Sequence, residues 1–410
     1  MKKKYTVVII IACLILCSVV ALSLLKHKNQ GPGGELYYYS GIDASCNYSE
    51  NSVLYLDGSG IMHMIDTALG KDVIYCDKPN CTHEEYSSDN VNPSCPAVFW
   101  GLIKAGPVPY NGQMYFIGNM SGEDEFTTQY LYEMDSNCEN RRIAAALEGI
   151  QDVRYVLCRD NYICGGYVNR VEINEDGQII NDNKPESGIF VIDLDSYEVH
   201  KADVITGEQA NVTGIFYENG AVYYSVMRFR DDITEIMIEE AAGQGDGQNF
   251  TYEYMLYEIY RYDIASGENQ LLITLDHINN LQLLDGNAYY SAADGIYVFD
   301  TETGETTKLD IDPAALDYGP AAKNGDDLYF CVWDDESGDV IYYRMENDET
   351  TELTRLLAGD AFGITNICGE SVYISYYDAT GQYCEGVLGL EDFNNGEFSP
   401  RMLRYYNEEN

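Results

Sequence analysis

The chain has 410 residues, a formal net charge of −44 and an apolar content of 45%. That is long for one ordinary domain, although a repeat architecture allows it because each unit adds its own share of core. The charge excludes nucleic acid and anionic lipid headgroups as partners. Tyrosine is frequent, with 37 residues against 12 Phe and 2 Trp. Tyrosine suits a half-buried strand, because its ring is buried while its hydroxyl reaches water or backbone, and this is the favoured interpretation. The alternative is that the tyrosines form a surface on which sugars stack.

The N-terminal segment has the pattern of a membrane anchor. Lysines at positions 2, 3 and 4 precede an uncharged, apolar run over residues 5–25, which Lys26, His27 and Lys28 close. At about 1.5 Å per residue, a helix of this length crosses a hydrocarbon core of about 30 Å. The excess of positive charge before the run favours an N-terminus inside the cell. The sequence therefore predicts a single-pass protein of the cell membrane in four segments: a cytoplasmic tail (1–4), a transmembrane anchor (5–25), a linker (26–34) and an extracellular domain (35–410).

Two other interpretations of this segment remain open at the level of sequence. A cleaved signal peptide usually has a shorter apolar stretch and an Ala-x-Ala-like site, which residues 20–23 match poorly. A lipoprotein signal needs a small residue before an acylated cysteine, and Ala12-Cys13 fits it loosely. The apolar run continues well beyond Cys13, so the uncleaved anchor is favoured. The short inner tail leaves no room for a signalling domain.

A short phrase recurs along the rest of the chain. Turn residues such as Asp285-Gly286 precede a run that alternates between buried and exposed positions, such as Asn287 to Tyr290. Period-two alternation is typical of half-buried strands, and Asn, Asp and Gly supply tight turns between antiparallel strands. Seven copies of the phrase occur, at residues 51–55, 111–115, 160–164, 219–223, 285–289, 325–329 and 369–373.

Further strands accompany each copy and favour a β-propeller. Four antiparallel strands recur every few tens of residues, whereas a sandwich lacks that larger period. A four-stranded blade cannot cover both faces alone, and radial packing buries each face against a neighbour. The sequence therefore predicts an all-β fold, a β-propeller of about seven four-stranded blades, with six or eight still open, after one N-terminal transmembrane helix. The predicted blades cover residues 35–76, 104–148, 152–203, 211–275, 278–310, 314–356 and 361–406.

Three long connections are predicted to share one face of the propeller. They are Asp77 to Gly101, Val171 to Ser187, and Arg228 to Thr251. The first joins the fourth strand of a blade to the next blade, and the other two join the second strand to the third. Connections of both kinds leave an antiparallel propeller from the same face. Long loops on one end of a rigid scaffold usually carry binding or catalysis, so we expect the binding surface there; free drift of loop length is the alternative.

The first of these connections holds a cluster of metal-ligand residues. Cys76 and Cys81 are followed by His83 and then Cys95. Three thiolates and an imidazole are a ligand set for tetrahedral zinc, although His83 follows Cys81 so closely that a tight turn is required. A disulfide that clamps the long loop is the competing interpretation, and free thiols are the third. Cysteines within strand-like runs are expected to be small core residues: Cys158, Cys164, Cys331 and Cys368.

The anchor, the Tyr-rich repeats and the stretch Cys76-Asp-Lys-Pro-Asn-Cys81-Thr-His83 with its later Cys95-Pro-Ala together resemble one group of proteins. These are membrane-anchored β-propeller surface proteins of unknown function from anaerobic Gram-positive bacteria. The resemblance spans nearly the whole chain, but its specific part is the cysteine–histidine stretch. It implies the fold and the location and carries over no catalytic residue. The reducing habitat that it implies weakens the disulfide interpretation.

Three functions compete on this scaffold. The first is a surface-displayed binding module for a glycan or an envelope protein. The second is an extracellular carbohydrate-active enzyme, although no phosphate loop, serine nucleophile elbow or zinc-protease motif marks a catalytic residue. The third is a sensor subunit that signals through a partner in the membrane. Two carboxylates about 5–10 Å apart in a deep pocket favour the enzyme, and a shallow tyrosine-lined face favours binding.

Overall fold

A computed structural model describes most of the chain. The described residues are 36–37, 46–86, 90, 93–120, 128–169, 186–206, 210–233, 253–284, 286–309, 322–334, 337–346 and 349–405. The predicted transmembrane anchor, residues 5–25, lies outside them. Within the described residues, none of the helices has the length and apolar character needed to cross a bilayer.

The described chain is almost entirely β-structure. The first half contains β1 (Leu36–Tyr37), β2 (Cys46–Tyr48), β3 (Ser52–Leu56), β4 (Met62–Asp66), β5 (Lys71–Ile74), β6 (Leu102–Tyr110), β7 (Gln113–Asn119), β8 (Gln129–Asp135), β9 (Arg142–Leu147), β10 (Asp152–Arg159), β11 (Tyr162–Asn169), β12 (Glu186–Asp193), β13 (Val199–Thr206) and β14 (Asn211–Glu218). The second half contains β15 (Ala221–Phe229), β16 (Met255–Asp263), β17 (Asn269–Asp276), β18 (Ile278–Leu284), β19 (Asn287–Ala292), β20 (Gly295–Asp300), β21 (Thr306–Lys308), β22 (Ala322–Asn324), β23 (Asp327–Asp334), β24 (Asp339–Glu346), β25 (Glu349–Leu357), a 3₁₀ turn (Ala358–Asp360), β26 (Phe362–Cys368), β27 (Ser371–Tyr377), β28 (Tyr383–Gly389), α1 (Leu390–Asn394) and β29 (Arg401–Tyr405).

These strands form a seven-bladed β-propeller, as predicted. Each blade is an antiparallel sheet of four consecutive strands: β2–β5, β6–β9, β10–β13, β14–β17, β18–β21, β22–β25 and β26–β29, numbered blades 1 to 7. The first strand of each blade lies innermost, where it contacts the first strand of a neighbour. The fourth strands are largely exposed. Each predicted blade overlaps its observed counterpart, and the bounds agree to within a few residues except where blades 1 and 6 begin.

The start of blade 1 differs from the prediction. Residues 36–37 were assigned to it, but β1 instead pairs antiparallel with β10 in blade 3. Blade 1 begins at Cys46, where β2 pairs with β3. A two-residue strand has too little pattern to reveal its partner, because pairing along a sheet edge depends on where the chain is held rather than on local alternation.

The recurring phrase proves to be the hairpin between the first and second strands. Asn111-Gly112 and Asn219-Gly220 have positive φ at both residues, as a two-residue hairpin turn of this kind requires. The Asp that ends the third strand stabilises the turn to the fourth strand. Its carboxylate accepts backbone N–H groups of the following turn, as Asp193 does from Asp195 at 2.8 Å. One signal acts through backbone conformation and the other through a hydrogen bond within the turn. Both are local, which is why they repeat with the blades.

The apolar core is divided among the gaps between blades. One cluster packs β6–β9 side chains such as Leu131 and Leu147 against Val153 and Ile163 of blade 3. The ring closes where blade 7 meets blade 1, through a cluster of Val53, Tyr55, Ile65, Tyr373, Val387 and Leu403. Among the described residues, no strand is shared across this seam. Side-chain contacts tie it instead, including Tyr373 Oη, which donates to the carbonyl of Ser49 at 2.6 Å.

The strand order defines two faces. The loop face carries the connections from second to third strands and from fourth strands to the next blade. The hairpin face carries the turns between first and second strands and between third and fourth strands. The strand ends that flank the three long predicted connections all lie at the loop face, as expected. Residues 170–185 and 234–252, which make up most of two of these connections, lie outside the described residues.

Candidate metal centre

The cysteine–histidine stretch begins directly after the outermost strand of blade 1. Cys76 N–H donates to the carbonyl of Ile74, the last residue of β5, at 2.8 Å. A turn follows in which Cys81 N–H donates to the carbonyl of Lys78 at 3.3 Å. Its second residue is proline and its third, Asn80, has a φ of 57°, the combination of a type II turn. The sequence Lys-Pro-Asn-Cys thus returns Cys81 towards Cys76.

His83 reaches the same place because the chain reverses again at the histidine itself. Its φ is 51°, in the left-handed region, which is uncommon for residues other than Gly but in which Asn, Asp and His are enriched. The N–H of His83 also donates to the sulfur of Cys81. The tight turn that the sequence requires is therefore formed.

Cys95 comes from the far end of the loop, in a segment pinned to blade 1. Val98 pairs with Ile61, and Met62 N–H donates to the carbonyl of Ala97 at 2.8 Å. Cys95 itself is 4% exposed. Its neighbours in the core are apolar residues of blades 1 and 2, so the thiol has a fixed position in the wedge between these blades.

The four predicted ligands converge. One donor atom each from Cys76, Cys81, His83 and Cys95 lies within 4.8 Å of all the others, and His83 Nδ1 lies 3.3 Å from Cys95 Sγ. A zinc ion with bonds of about 2.1–2.3 Å has ligand–ligand edges of about 3.5–3.8 Å, so small side-chain adjustments complete a tetrahedron. The group could therefore bind a metal ion.

The pKa values of two of the thiols are shifted in opposite directions. Burial raises the pKa of the Cys95 thiol to about 12, although the N–H of Ala97 stabilises its thiolate. The N–H of His83 lowers the pKa of the Cys81 thiol. Peptide N–H groups aimed at sulfur favour the thiolates that a metal needs, and a bound cation removes the electrostatic cost of burying them.

The disulfide interpretation is not realised in this structure. The cysteines of the described residues are free thiols, including Cys76, Cys81 and Cys95. The strand cysteines were expected to be core residues. Cys158 and Cys164 are buried, as expected, whereas Cys331 and Cys368 are half-buried.

The loop between blades 1 and 2 also contacts a turn of blade 2 that belongs to the hairpin face. Arg141, in the hairpin-face turn between β8 and β9, donates through Nη2 to the carbonyls of Pro96 and Val98, at 3.0 and 3.2 Å. Its guanidinium stacks 4.1 Å from the ring centre of Phe99 and 5.0 Å from that of Trp100. Strand twist tilts the outer hairpin of a blade sideways, so this turn meets the neighbouring blade's loop.

Sequence reasoning missed Arg141 and its neighbour Cys138. Cys138 is 1% exposed and its sulfur lies 3.5 Å from that of Met62. Neither residue stands at metal-ligand spacing, so no pattern connected them to residues 76–95. In the sequence, both residues stand only in a short turn between two predicted strands, which does not indicate a contact with the cysteine–histidine loop.

A shallow cleft of about 370 Å³ opens beside the metal-ligand group. Its lining comes from the loop and from the turn of blade 2: Lys78, Pro93, Ser94, Cys95, Pro96, Trp100, Cys138, Glu139, Asn140 and Arg141. Among the described residues of this lining, Glu139 is the one carboxylate, and Lys78 pairs with it at 3.4 Å. The described lining therefore does not contain the two carboxylates that most glycoside hydrolases use.

Comparison with known proteins identifies the fold and no family. No protein-family model matches the chain, and no curated protein matches its sequence. Among solved structures, it is similar to a puromycin-hydrolysing peptidase of Mycobacterium tuberculosis (TM-score 0.52, 9% identity, 88% of this chain and 53% of that one). It is also similar to an acylaminoacyl peptidase of Pyrococcus horikoshii (0.50, 15%, 90% and 54%) and to dipeptidyl peptidase 4 of Porphyromonas gingivalis (0.48, 9%, 90% and 60%). The chain spans little more than half the length of these peptidases.

Proposed function

We propose that the chain is a membrane-anchored binding propeller whose loop between blades 1 and 2 is held by a structural zinc ion. The convergence of Cys76, Cys81, His83 and Cys95 carries this proposal. Four protein ligands complete a tetrahedral zinc shell and leave no position for a reacting water, the arrangement of structural rather than catalytic sites. The sulfur-rich set selects zinc over calcium or magnesium.

The zinc ion would stabilise the surface next to it. It would join the chain that leaves β5 to the segment that pairs with the start of β4, and so fix one wall of the cleft. Anchoring by residues 5–25 would hold the propeller outside the cell membrane. Its ligand would be a glycan or a protein of the envelope. The peptidase likenesses bear on the fold alone and do not favour an enzyme.

Metal analysis of the full chain in detergent tests the zinc site. We expect about one zinc per chain, and cobalt replacement should give the thiolate charge-transfer band of a tetrahedral site. Cys81→Ser should lose most of the metal. Cys138→Ser is the matched control, since this thiol lies beside the group without belonging to it. Equal metal content in wild type and Cys81→Ser would refute the zinc proposal.

Binding is tested separately, with the immobilised full chain and solubilised cell envelope. Saturable retention that protease treatment of the envelope abolishes indicates a protein ligand, and retention that periodate abolishes indicates a glycan. The Cys81→Ser chain should retain less than the Cys138→Ser chain. No saturable retention, or hydrolysis of an envelope polysaccharide by the wild type, would contradict a binding role.

A further inference from the structure

The innermost strand of blade 3 has an additional partner on its channel side. β1 (Leu36–Tyr37) pairs with β10, with Leu36 opposite Cys158 and Tyr37 opposite Leu157. The other edge of β10 is taken by β11, so β1 extends the blade inward. β1 therefore lies in the central channel.

The direction of this strand follows from its pairing. β10 runs from the loop face at Asp152 to the hairpin face at Arg159. Because β1 is antiparallel to it, β1 runs from the hairpin face towards the loop face. Leu36 is opposite the penultimate residue of β10, so β1 begins near the hairpin face.

The next described strand begins at the opposite face. Cys46 starts β2, the innermost strand of blade 1, at the loop face. The chain must therefore rise from the level of Leu157 to that of Asp152, about 17 Å at 3.3 Å per residue. The nine steps from Tyr37 to Cys46 span up to about 30 Å, which also allows the crossing from blade 3 to blade 1.

We propose that the N-terminal tether threads the central channel from the hairpin face, so that the anchor holds the hairpin face towards the membrane and the loop face is the interaction surface. This orientation rests on the membrane anchoring proposed above; the threading does not. The ten residues between the anchor and β1, 26–35, reach at most about 35 Å, which keeps the hairpin face near the bilayer.

In this orientation the ligand meets the loop face rather than the channel, in which β1 lies.

The threading is tested by a cross-link in the full chain in detergent. Paired Cα atoms of neighbouring antiparallel strands lie about 4.5–5.5 Å apart, within the range of a disulfide. Leu36→Cys under mild oxidation should therefore form a disulfide with Cys158, identified by peptide mapping. Asn29→Cys, in the linker, is the matched control and should not. A folded Leu36→Cys chain without this cross-link would overturn the threading.

The orientation is tested on liposomes that carry an energy-transfer acceptor on their headgroups. A donor dye is placed through an azide-bearing residue at position 326 or at position 293. Asp326 and Ala293 both lie in exposed two-residue hairpin turns, the first on the hairpin face and the second on the loop face. Transfer should be at least about twofold more efficient from position 326; equal or reversed efficiencies would overturn the orientation. Failure of the chain to float with liposomes would instead refute the anchor, and the cross-link would still report on threading.

Discussion

Arg404 in the last strand of blade 7 is paired with the fully buried carboxylate of Glu385. Arg404 Nε lies 2.6 Å from Glu385 Oε2, and Glu385 is 0% exposed. The second carboxylate oxygen accepts the hydroxyl of Tyr48, from the innermost strand of blade 1, at 2.5 Å. Arg404 also stacks 4.1 Å from the ring centre of Tyr55. The ion pair of blade 7 thus makes one of the polar contacts that join blades 7 and 1, which share no strand among the described residues.

Removing the arginine should open this seam. Arg404→Met keeps the apolar stem but leaves the buried Glu385 carboxylate without its cation, with only the Tyr48 hydroxyl as a partner, and loss of one member of a buried ion pair costs about 3–5 kcal/mol. Chemical denaturation should therefore show a large loss of unfolding free energy. Glu385→Gln in the Arg404→Met background should recover part of it, because the neutral amide no longer needs the cation.

The control is the ion pair of Lys308 and Asp294, whose side chains are solvent-exposed. Lys308→Met should leave stability almost unchanged because water screens exposed pairs. If Arg404→Met were no more destabilising than Lys308→Met, the seam would not depend on the buried pair.

Arg141 should matter for metal retention although it is not a ligand. Arg141→Met removes two hydrogen bonds to the carbonyls that flank Ala97 and loosens the segment that holds Cys95. Loss of hydrogen bonds made directly to ligands typically costs about 10–100-fold in metal affinity, and we expect the lower end of that range for this more distant support. Competition with a chromophoric chelator measures this. The matched control is Arg142→Met, an exposed neighbour that pairs with Glu133; an equal loss of affinity in the control would contradict a specific role for Arg141.

Metal removal should loosen the loop locally. Glu84 and Glu85 are exposed in the loop that the four ligands enclose. With a chelator present, cleavage there by a glutamate-specific protease should accelerate about tenfold or more, because cleavage follows the population of the opened segment. Glu302 and Glu305, in an exposed turn of blade 5, are the internal control. Uniform acceleration at all four positions would indicate global unfolding instead.

Most of the fold could be predicted because each blade repeats the same local signals. Asn219-Gly220, between two strand-like runs, favours a two-residue hairpin turn, and an Asp such as Asp193 accepts the N–H groups of the turn that follows its strand. Such signals need no knowledge of distant residues. The pairing of Leu36 with Cys158 has no comparable signal, since it joins residues far apart in the chain through two backbone positions.

Part of the candidate site could likewise be predicted from local sequence, and part could not. Cys76, Cys81 and His83 are close in sequence, and the chemistry of thiols and imidazole identified them together with Cys95. Arg141 reaches the site only because the twist of blade 2 carries its turn sideways against residues 96–100. Glu385 and Arg404 likewise read as ordinary strand residues, and only ring closure gives them a buried partner on blade 1.

His63 gives blade 1 a charge-dependent contact on the same seam. Its ring lies between two carboxylates, 3.2 Å from Asp57 and 3.0 Å from Asp72, and stacks on Tyr55. Tyr55 Oη donates to the other oxygen of Asp72 at 2.6 Å, and Arg404 covers the tyrosine ring. Burial favours the neutral imidazole, but the two carboxylates outweigh it and raise the pKa of His63 above its ordinary 6.5.

A raised pKa makes the unfolding free energy depend on pH in a definite direction. The stabilisation from His63 is complete below pH 6.5 and is lost as the pH rises through the folded-state pKa. The stabilisation from Asp57 depends on pH in the opposite direction. Desolvation opposes ionisation of Asp57, but His63 and the N–H groups of the turn outweigh it and lower the pKa, so this stabilisation is lost on acidification below pH 3.8.

Between pH 6 and 8, the unfolding free energy of the wild type should therefore fall more steeply than that of His63→Gln. The control is His200→Gln, an exposed histidine near Glu198, which should keep the wild-type slope. Parallel pH profiles for wild type and His63→Gln, measured by chemical denaturation, would show that the charged ring does not stabilise the seam.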